Sequence, residues 1–262
     1  MSKYETQAAL AREHFPRGLF QPEKSFRFSL DALLLAAYAA RLRPDWLRLA
    51  DLGCGCGPVA LGALILSGAK PGREALGLDR QPELLAAAKK NAALLGFEAV
   101  CSVEQADFAN YEPGAARDSF DLVTANPPYR LPDEGRLPPS PLRRAALFGG
   151  RENLAAFVRA GRVLLAPEGL FCLIFPAGRA DELTSLLAVE GLALQAACPV
   201  FSREASEPSL VLLAAQKYGE RNKLAWREQK PLRLYCSLPS GGTILSGEAL
   251  DFCPFLSCNM EG

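Results

Sequence analysis

The four residues Asn126-Pro127-Pro128-Tyr129 are the part of this sequence best suited to chemistry on a ligand. They follow an apolar run, 120–125, that predicts a buried strand, and two consecutive prolines must end that strand because proline cannot donate to a sheet ladder. The Asn126 oxygen and the Pro127 carbonyl can both accept hydrogen bonds from an NH2 group, while the Tyr129 ring packs on a planar face. The turn therefore favours a planar ligand that carries an NH2 group.

A glycine-rich turn provides a second candidate site earlier in the chain. The stretch Asp51-Leu52-Gly53-Cys54-Gly55-Cys56-Gly57 follows a predicted strand and precedes Pro58, which is favoured in the first turn of a helix. Glycines at alternate positions let the backbone turn tightly and approach a ligand without Cβ clashes. Asp79 ends the next strand about 20 residues later, a distance suited to accepting from ribose hydroxyls, although it could instead only cap the following helix. Asp107, at the tip of a third strand, could accept from an adenine amino group or be a solvated turn residue.

Alternating apolar segments predict the elements that position these turns. Strands are expected at 47–52, 74–79, 99–104, 120–125, 170–175, 192–199 and 209–215, and helices at 30–41, 58–67, 82–95, 152–165 and 181–190. Ser29 is expected to cap the first of these helices, whose apolar side would carry Leu33, Leu34, Ala37 and Tyr38. This order indicates an α/β fold with a mostly parallel sheet and helices on both faces. Both turns then lie at the carboxyl edge of the sheet, where open α/β sheets bind ligands.

Composition argues against several classes of protein. The 262 residues carry 29 basic and 29 acidic side chains, so a nucleic-acid site must be a local patch. The single histidine, His14, argues against Ser-His, Cys-His and multi-histidine metal mechanisms, and no metal is expected. The eight cysteines include no Cys-x-x-Cys pair and are interpreted as reduced, apolar thiols. No apolar run is long enough to cross a bilayer and no signal peptide is visible, so a cytoplasmic location is expected.

Two basic segments are candidates for such a local patch. Residues 130–151 form a proline-rich loop with five arginines and two acidic residues, of which Arg130, Arg143 and Arg144 are expected to meet a phosphate-bearing substrate. Residues 217–233 carry six basic and two acidic side chains with aromatic residues between them, a composition that can hold single-stranded RNA. A solvated surface segment remains an open alternative for both.

The two turns and the acids at Asp79 and Asp107 stand in the order found in class I S-adenosylmethionine-dependent methyltransferases, which the chain resembles from about 47 to 215. The resemblance implies a Rossmann-like, mostly parallel seven-stranded sheet in a single domain, and S-adenosyl-L-methionine as the cofactor. The implied organisation is an N-terminal extension with a covering helix at 1–45, the methyltransferase domain at 46–216 and a C-terminal extension at 217–262.

The same resemblance implies roles for individual residues. The Asn-Pro-Pro-Tyr form is similar to that of enzymes that methylate nitrogen on adenine in DNA or RNA or on a protein glutamine. Asn126, Pro127 and Tyr129 are then the catalytic residues, with the first two binding the target NH2 and Tyr129 stacking on it. The residues implied to hold the cofactor are Phe28, Asp31, Asp51, Gly53, Cys54, Gly55, Gly57, Asp79, Asp107 and Asn126.

The flanking segments resemble two different families. Residues 21–36 are similar to the N-terminus of bacterial tRNA(Val) adenine-37 N6-methyltransferases, where a Phe-Arg-Phe-x-x-Asp-x-x-Leu-Leu pattern helps to close the cofactor site, and 234–248 resembles their tail. Residues 203–208 are less basic than that family's pattern. Residues 146–152 instead resemble release-factor glutamine methyltransferases, which normally carry a separate helical N-terminal domain. Adenine methylation in tRNA is the favoured hypothesis, with release-factor methylation or a non-catalytic S-adenosylmethionine- or RNA-binding protein as alternatives.

Overall fold

The structure is a computed structural model that describes residues 3–23, 25, 27–68, 70–129, 150–202, 207–219, 227–238 and 241–259. Three predicted substrate contacts, Arg130, Arg143 and Arg144, lie outside the described residues, as do residues 130–149 of the first basic segment and 220–226 of the second.

Seven strands form the body of the sheet. They are β1 (Arg48–Leu52), β2 (Glu74–Asp79), β3 (Cys101–Gln105), β4 (Phe120–Ala125), β5 (Leu165–Pro176), β6 (Leu192–Phe201) and β7 (Leu210–Lys217). Their order is β3-β2-β1-β4-β5-β7-β6, and every pair is parallel except those made by β7, which runs antiparallel to β5 and β6. This topology confirms the predicted Rossmann-like, mostly parallel α/β sheet, and its last strands pair antiparallel.

The sheet continues beyond the seven predicted strands. Two short strands, β8 (Arg227–Glu228) and β9 (Leu232–Arg233), pair in parallel with β6, so the sheet has nine strands among the described residues. A separate hairpin follows, with β10 (Tyr235–Ser237) antiparallel to β11 (Thr243–Leu245). The strand β5 begins earlier than predicted because Leu165 pairs with Phe120 before the register shifts and Leu170 pairs with Leu122.

Helices cover both faces of the sheet, as predicted. They are α1 (Lys3–Glu13), α2 (Leu30–Leu42), α3 (Pro58–Ser67), α4 (Pro82–Leu94), α5 (Arg151–Leu164), α6 (Ala180–Val189) and α7 (Gly247–Phe252). One core joins α2, α3 and the chain termini to one face, and a second joins α5 and α6 to the other. No described helix combines the length and the apolar character required to span a bilayer.

The helix α2 differs from its prediction because it is buried on all sides. Every residue from Ala32 to Ala40 is buried, whereas the sequence predicted one apolar side. Its second side is covered by the C-terminal residues, since the Cys253 thiol donates to the Leu33 carbonyl and the α7 region packs on α2. The helix α3 also approaches closely, and a Cβ on Gly62 would come within 3.0 Å of the Ala36 methyl group. Ser29 occupies the N-cap position but makes no side-chain cap hydrogen bond, so the predicted capping bond is wrong.

The two ends of the chain pack against each other. The rings of Phe15 and Phe255 meet edge to face at 4.6 Å between centroids, and the Arg17 guanidinium donates to the Cys258 carbonyl. Phe15 and Phe255 belong to the same core as α2 and α3. The N- and C-terminal residues therefore cover one face of the sheet together, while the predicted division at 45 and 216 stays a proposal.

Candidate active site

A cavity of about 640 Å³ lies where β1, β2 and β4 end. The carboxyl ends of these three adjacent parallel strands carry the glycine turn, Asp79 and Asn126, which is why one cavity collects them. Its wall includes eight of the residues predicted from the sequence: Phe28, Asp51, Gly53, Cys54, Gly55, Asp79, Asp107 and Asn126.

Backbone hydrogen bonds hold the glycine turn against the end of β2. The N–H groups of Gly53 and Cys54 both donate to the Leu78 carbonyl, at 2.7 and 3.0 Å. Gly53 has a φ of +68°, and a Cβ at this position would lie 3.1 Å from the ring of Phe157. Glycine is therefore required here both by the backbone conformation and by the close approach of α5.

Asp79 organises the turn as well as lining the cavity. Its Oδ2 accepts from the N–H of Gly55 at 2.9 Å, and its Oδ1 accepts from the N–H of Gln81 at 2.9 Å. Burial raises the pKa of Asp79, while these two hydrogen bonds act in the opposite direction. Gln81, and not Asp79, occupies the N-cap position of α4, so the carboxylate holds the entry to that helix without being its cap.

Asp51 is a buried carboxylate in the same wall. It is 1% exposed, and its Oδ1 accepts a hydrogen bond of 2.8 Å from the hydroxyl of Thr124, its register partner on β4. Its Oδ2 is buried and accepts no hydrogen bond from the described residues. Burial raises the pKa of Asp51 to about 7, against the effects of Thr124 and the backbone N–H of Ala60. A group of this kind can bind a cation that enters the cavity.

The turn after β4 borders the cavity through Asn126 and Pro128. Pro127 and Tyr129 lie outside the cavity wall, with the Pro127 side chain buried and Tyr129 half-buried. The Tyr129 hydroxyl donates to Oδ2 of Asp31 at 2.7 Å, and its ring meets Phe175 edge to face at 6.3 Å between centroids. The structure thus brings Asp31 to the predicted turn and not into the cavity wall.

The other predicted residues take different positions. Asp107 is exposed at the rim, where its Oδ1 accepts from the N–H of Ala109 at 3.1 Å in the 3₁₀ turn Phe108–Asn110. Gly57 lies outside the wall and is the N-cap of α3, with a φ of +90°. Phe28, which precedes α2, does reach the cavity.

Sequence reasoning missed several residues of the site. The sequence signal for Thr124 is a hydroxyl in a strand predicted to be buried, and the pairing of β1 with β4 places it opposite Asp51. Asn91 could also have been found as a fully buried amide in α4, where it donates to the carbonyls of Phe20 and Cys56 at 3.0 and 2.9 Å. It ties the N-terminal segment to the glycine turn. The first turns of α5 add further wall residues, namely Glu152, Asn153, Ala155, Ala156, Phe157 and Arg159.

The cysteines contribute apolar surface to the site. All eight are free thiols, and burial raises the pKa of Cys54 and Cys56, both of which line the cavity. The described residues contain no group of three or more His, Cys, Asp or Glu side chains placed to hold a metal ion.

The sequence is similar to those of known methyltransferases. A family model described as a methyltransferase domain matches residues 45–189. The release factor glutamine methyltransferase of Rhodospirillum rubrum is 34% identical over 182 residues, which cover 65% of this chain and 51% of that protein. The tRNA1(Val) (adenine(37)-N6)-methyltransferase of Tolumonas auensis is 26% identical over 184 residues, which cover 69% of this chain and 74% of that protein. The chain thus spans about half the length of the release factor methyltransferases that it matches.

Solved structures share the fold. A predicted O-methyltransferase from Agrobacterium tumefaciens superposes with a TM-score of 0.62 at 19% identity, covering 86% of this chain and 96% of that one. The family match spans more than half of the sequence and includes β1, β2, β4 and all of the cavity wall except Phe28 and Ala32. S-adenosyl-L-methionine is the methyl donor that this family and fold imply. The chain therefore belongs to the methyltransferase domain family.

Proposed function

We propose that this methyltransferase places its methyl group on the exocyclic amino group of adenine in tRNA, with adenosine 37 of a valine tRNA as the favoured position. The observation that carries this proposal is the hydrogen bond between Tyr129 of the Asn-Pro-Pro-Tyr turn and Asp31 of the N-terminal segment. Asp31 belongs to the N-terminal pattern that resembles tRNA adenine methyltransferases, and Tyr129 belongs to the Asn-Pro-Pro-Tyr form of enzymes that methylate an adenine or glutamine nitrogen. In addition, the match to the Tolumonas auensis enzyme spans 74% of that protein.

The cavity fits S-adenosylmethionine in size and chemistry. Its volume of about 640 Å³ is in the range of cofactor sites, and Gly53 and Gly55 leave space at one wall. The buried Oδ2 of Asp51 suits the ammonium group of the cofactor's amino-acid part, Asp79 suits the ribose and Asp107 at the rim suits the adenine. The remaining proposed cofactor contacts are Phe28, Cys54 and Asn126. Gly57 and Asp31 lie outside the cavity wall and are proposed to support the cofactor site indirectly.

The bound cofactor supplies an electrophilic sulfonium methyl group. In the proposed mechanism, the Asn126 oxygen and the Pro127 carbonyl accept from the target NH2 and turn its lone pair out of conjugation. Positioning of this kind can contribute about 7–11 kcal/mol in favourable model systems. As the N–C bond forms, the S–C bond would break to leave a neutral thioether, and the cationic nitrogen would then lose one proton to solvent. The clamp formed by Asn126 and Pro127 therefore needs no strong base beside it.

Tyr129 supports the target base in this proposal. An adenine in structured RNA must leave its stack, and stacking on an aromatic ring returns about 1–3 kcal/mol. The ring is already held by the hydrogen bond from its hydroxyl to Asp31 and by its contact with Phe175, so it loses little freedom when a base binds. Arg130, Arg143 and Arg144 would then meet the RNA phosphates.

Release-factor glutamine methylation is the second candidate. It is favoured by the 34% identity to the Rhodospirillum rubrum enzyme, which exceeds the 26% identity to the tRNA enzymes. The same amide clamp of Asn126 and Pro127 accepts a glutamine side-chain NH2 as readily as an adenine amino group.

The deciding experiment offers labelled S-adenosylmethionine with unmodified bulk tRNA and, in parallel, with release factor. Products are identified by nucleoside and peptide mass spectrometry, with an Asn126→Ala variant as the blank. N6-methyladenosine in tRNA is the expected product. Methylated glutamine without methyladenosine would move the function to the second candidate, and transfer to neither would refute both.

A further inference from the structure

We propose that Arg179, which lies outside the cavity wall, is a positioning residue that fixes the Asn-Pro-Pro-Tyr turn for methyl transfer. This inference rests on the proposed function of that turn. Arg179 ends the 3₁₀ turn Ala177–Arg179, which directly follows β5, the strand next to β4 in the sheet. It does not belong to the cavity wall and carried no signal in the sequence.

The first contact joins the arginine to the turn itself. The Nη1 of Arg179 donates to the backbone carbonyl of Tyr129, 50 positions away in the sequence. Because Pro127 and Pro128 have no N–H, this turn has few backbone groups with which to hold its own shape. A hydrogen bond to the Tyr129 carbonyl from a separate element supplies a constraint that the turn cannot supply itself.

Two further contacts fix the direction of the guanidinium group. Its Nε and Nη2 both donate to Oε2 of Glu182, at 2.9 and 2.7 Å, and both side chains are only about one-fifth exposed. Its central carbon lies 5.3 Å from the ring centroid of Phe175, and that ring meets Tyr129 edge to face. The rigid, planar guanidinium group contacts a carboxylate, a carbonyl and an aromatic face at the same time. A lysine ammonium group could not make all three contacts in this geometry.

Tyr129 is consequently held at both ends. Asp31 accepts from its hydroxyl, Arg179 donates to its carbonyl, and Phe175 contacts both the tyrosine ring and the guanidinium. Asn126 lies three residues earlier in the same turn, so displacement of the Tyr129 backbone also displaces the proposed amide clamp. A displacement of about 1 Å at a reacting centre can cost about 100-fold in rate. Arg179 therefore acts on kcat and not on cofactor affinity.

The chain offers a matched control in Arg48. This arginine also donates to a carboxylate, Glu74, at 2.8 Å and to a backbone carbonyl, that of Ser119, and its guanidinium lies 4.9 Å from the Phe120 ring centroid. It makes these contacts at the start of β1, at the opposite end of the strands from the cavity. Arg48→Ala therefore reports the cost of losing such a set of contacts away from the site.

The test compares wild type, Arg179→Ala, Arg179→Lys and Arg48→Ala. It measures kcat with labelled S-adenosylmethionine and the accepted substrate, cofactor affinity by calorimetry with S-adenosylhomocysteine, and hydrogen exchange of the peptide that spans 120–129. We expect Arg179→Ala to lower kcat at least about 10-fold, to keep the cofactor Kd within about twofold and to speed exchange at Tyr129. Arg179→Lys should recover only part of kcat, and added guanidinium ion should partly rescue Arg179→Ala. Arg48→Ala should leave kcat and exchange at Tyr129 unchanged.

Each contrary result has a separate meaning. Wild-type kcat and wild-type exchange in folded Arg179→Ala would overturn the inference, as would an equal loss of kcat in Arg48→Ala. If Arg179→Ala does not fold, the lysine variant decides the question. Full activity of Arg179→Lys would then overturn the inferred positioning role. Transfer by wild type to neither tRNA nor release factor would refute the proposed function, whereas exchange at Tyr129 would still decide whether Arg179 holds the turn.

Discussion

The hydroxyl of Tyr129 donates a hydrogen bond of 2.7 Å to Oδ2 of Asp31, across 98 positions of the sequence. The bond connects the turn after β4 to the first turn of α2, and Phe28, which precedes that helix, lines the cavity. The segment that covers the cofactor cavity and the turn proposed to hold the substrate are thus one hydrogen-bonded unit.

Tyr129→Phe tests the bond while keeping the stacking ring. Hydrogen bonds to charged groups are worth about 1.5–3 kcal/mol, so methyl transfer should fall about 10-fold or more. Asp31→Ala should cause a similar loss, and in a double-mutant cycle the two losses should not add. Tyr218→Phe, at a largely exposed tyrosine, serves as the control. Fully additive losses would show that the two side chains act independently.

Asn126→Ala tests the proposed amide clamp. The substitution removes an acceptor for the target NH2, and we expect methyl transfer to fall at least about 100-fold while S-adenosylhomocysteine still binds. Initial rates with saturating cofactor, together with calorimetric titration, separate the two effects. A folded variant that no longer bound the cofactor would refute the assigned role, because Asn126 would then serve the cofactor wall alone.

Local rules predicted most of the fold and part of the site. The glycine turn and Pro58 placed the β1–α3 junction correctly because strand, turn and first helical residue all carry their own signals. The acids at the ends of β2 and β3 and Asn126 after β4 reached one cavity because parallel strands end at one edge. Both results follow from the spacing of apolar residues along the chain and from the parallel direction of the strands. A single sequence contains enough information to predict both.

Contacts between distant segments could not be predicted in the same way. The helix α2 is buried on its second side because residues near Cys253 cover it, and nothing near α2 in the sequence indicates that cover. In the sequence, Arg179 is a charged residue before a helix, and nothing nearby indicates a role for it. Only the fold brings it into contact with Tyr129. Thr124 lies between these cases, since its pairing with Asp51 follows from the strand register but not from either strand alone.

Asp79→Ala should weaken cofactor binding by two routes. It removes a proposed acceptor for the ribose, and it releases the Gly55 N–H that shapes the glycine turn. We expect the dissociation constant for S-adenosylhomocysteine to rise about 10-fold or more, as for loss of a hydrogen bond to a charged group. Asp107→Ala, at the exposed rim, should have a smaller effect. An unchanged titration for Asp79→Ala would limit this carboxylate to holding the entry to α4.

Asp51 should make stability depend on pH. Burial raises its pKa to about 7, whereas a carboxyl in the unfolded chain titrates near pH 4. Between these values the native state keeps a proton that the unfolded chain has lost. The stability that this group contributes is therefore complete below about pH 4 and is lost as the pH rises toward 7. Thermal unfolding of Asp51→Asn should lack this part of the pH dependence.

Cofactor binding should show the opposite dependence, because a cationic group favours the ionised form of Asp51. Below pH 7, binding should release a proton, and affinity for S-adenosylhomocysteine should increase up to about pH 7 and then level off. Calorimetry in two buffers of different ionisation enthalpy counts the protons. Asp51→Asn should bind more weakly and release fewer protons than wild type. Proton release equal to that of wild type in Asp51→Asn would mean that Asp51 does not meet the cationic group.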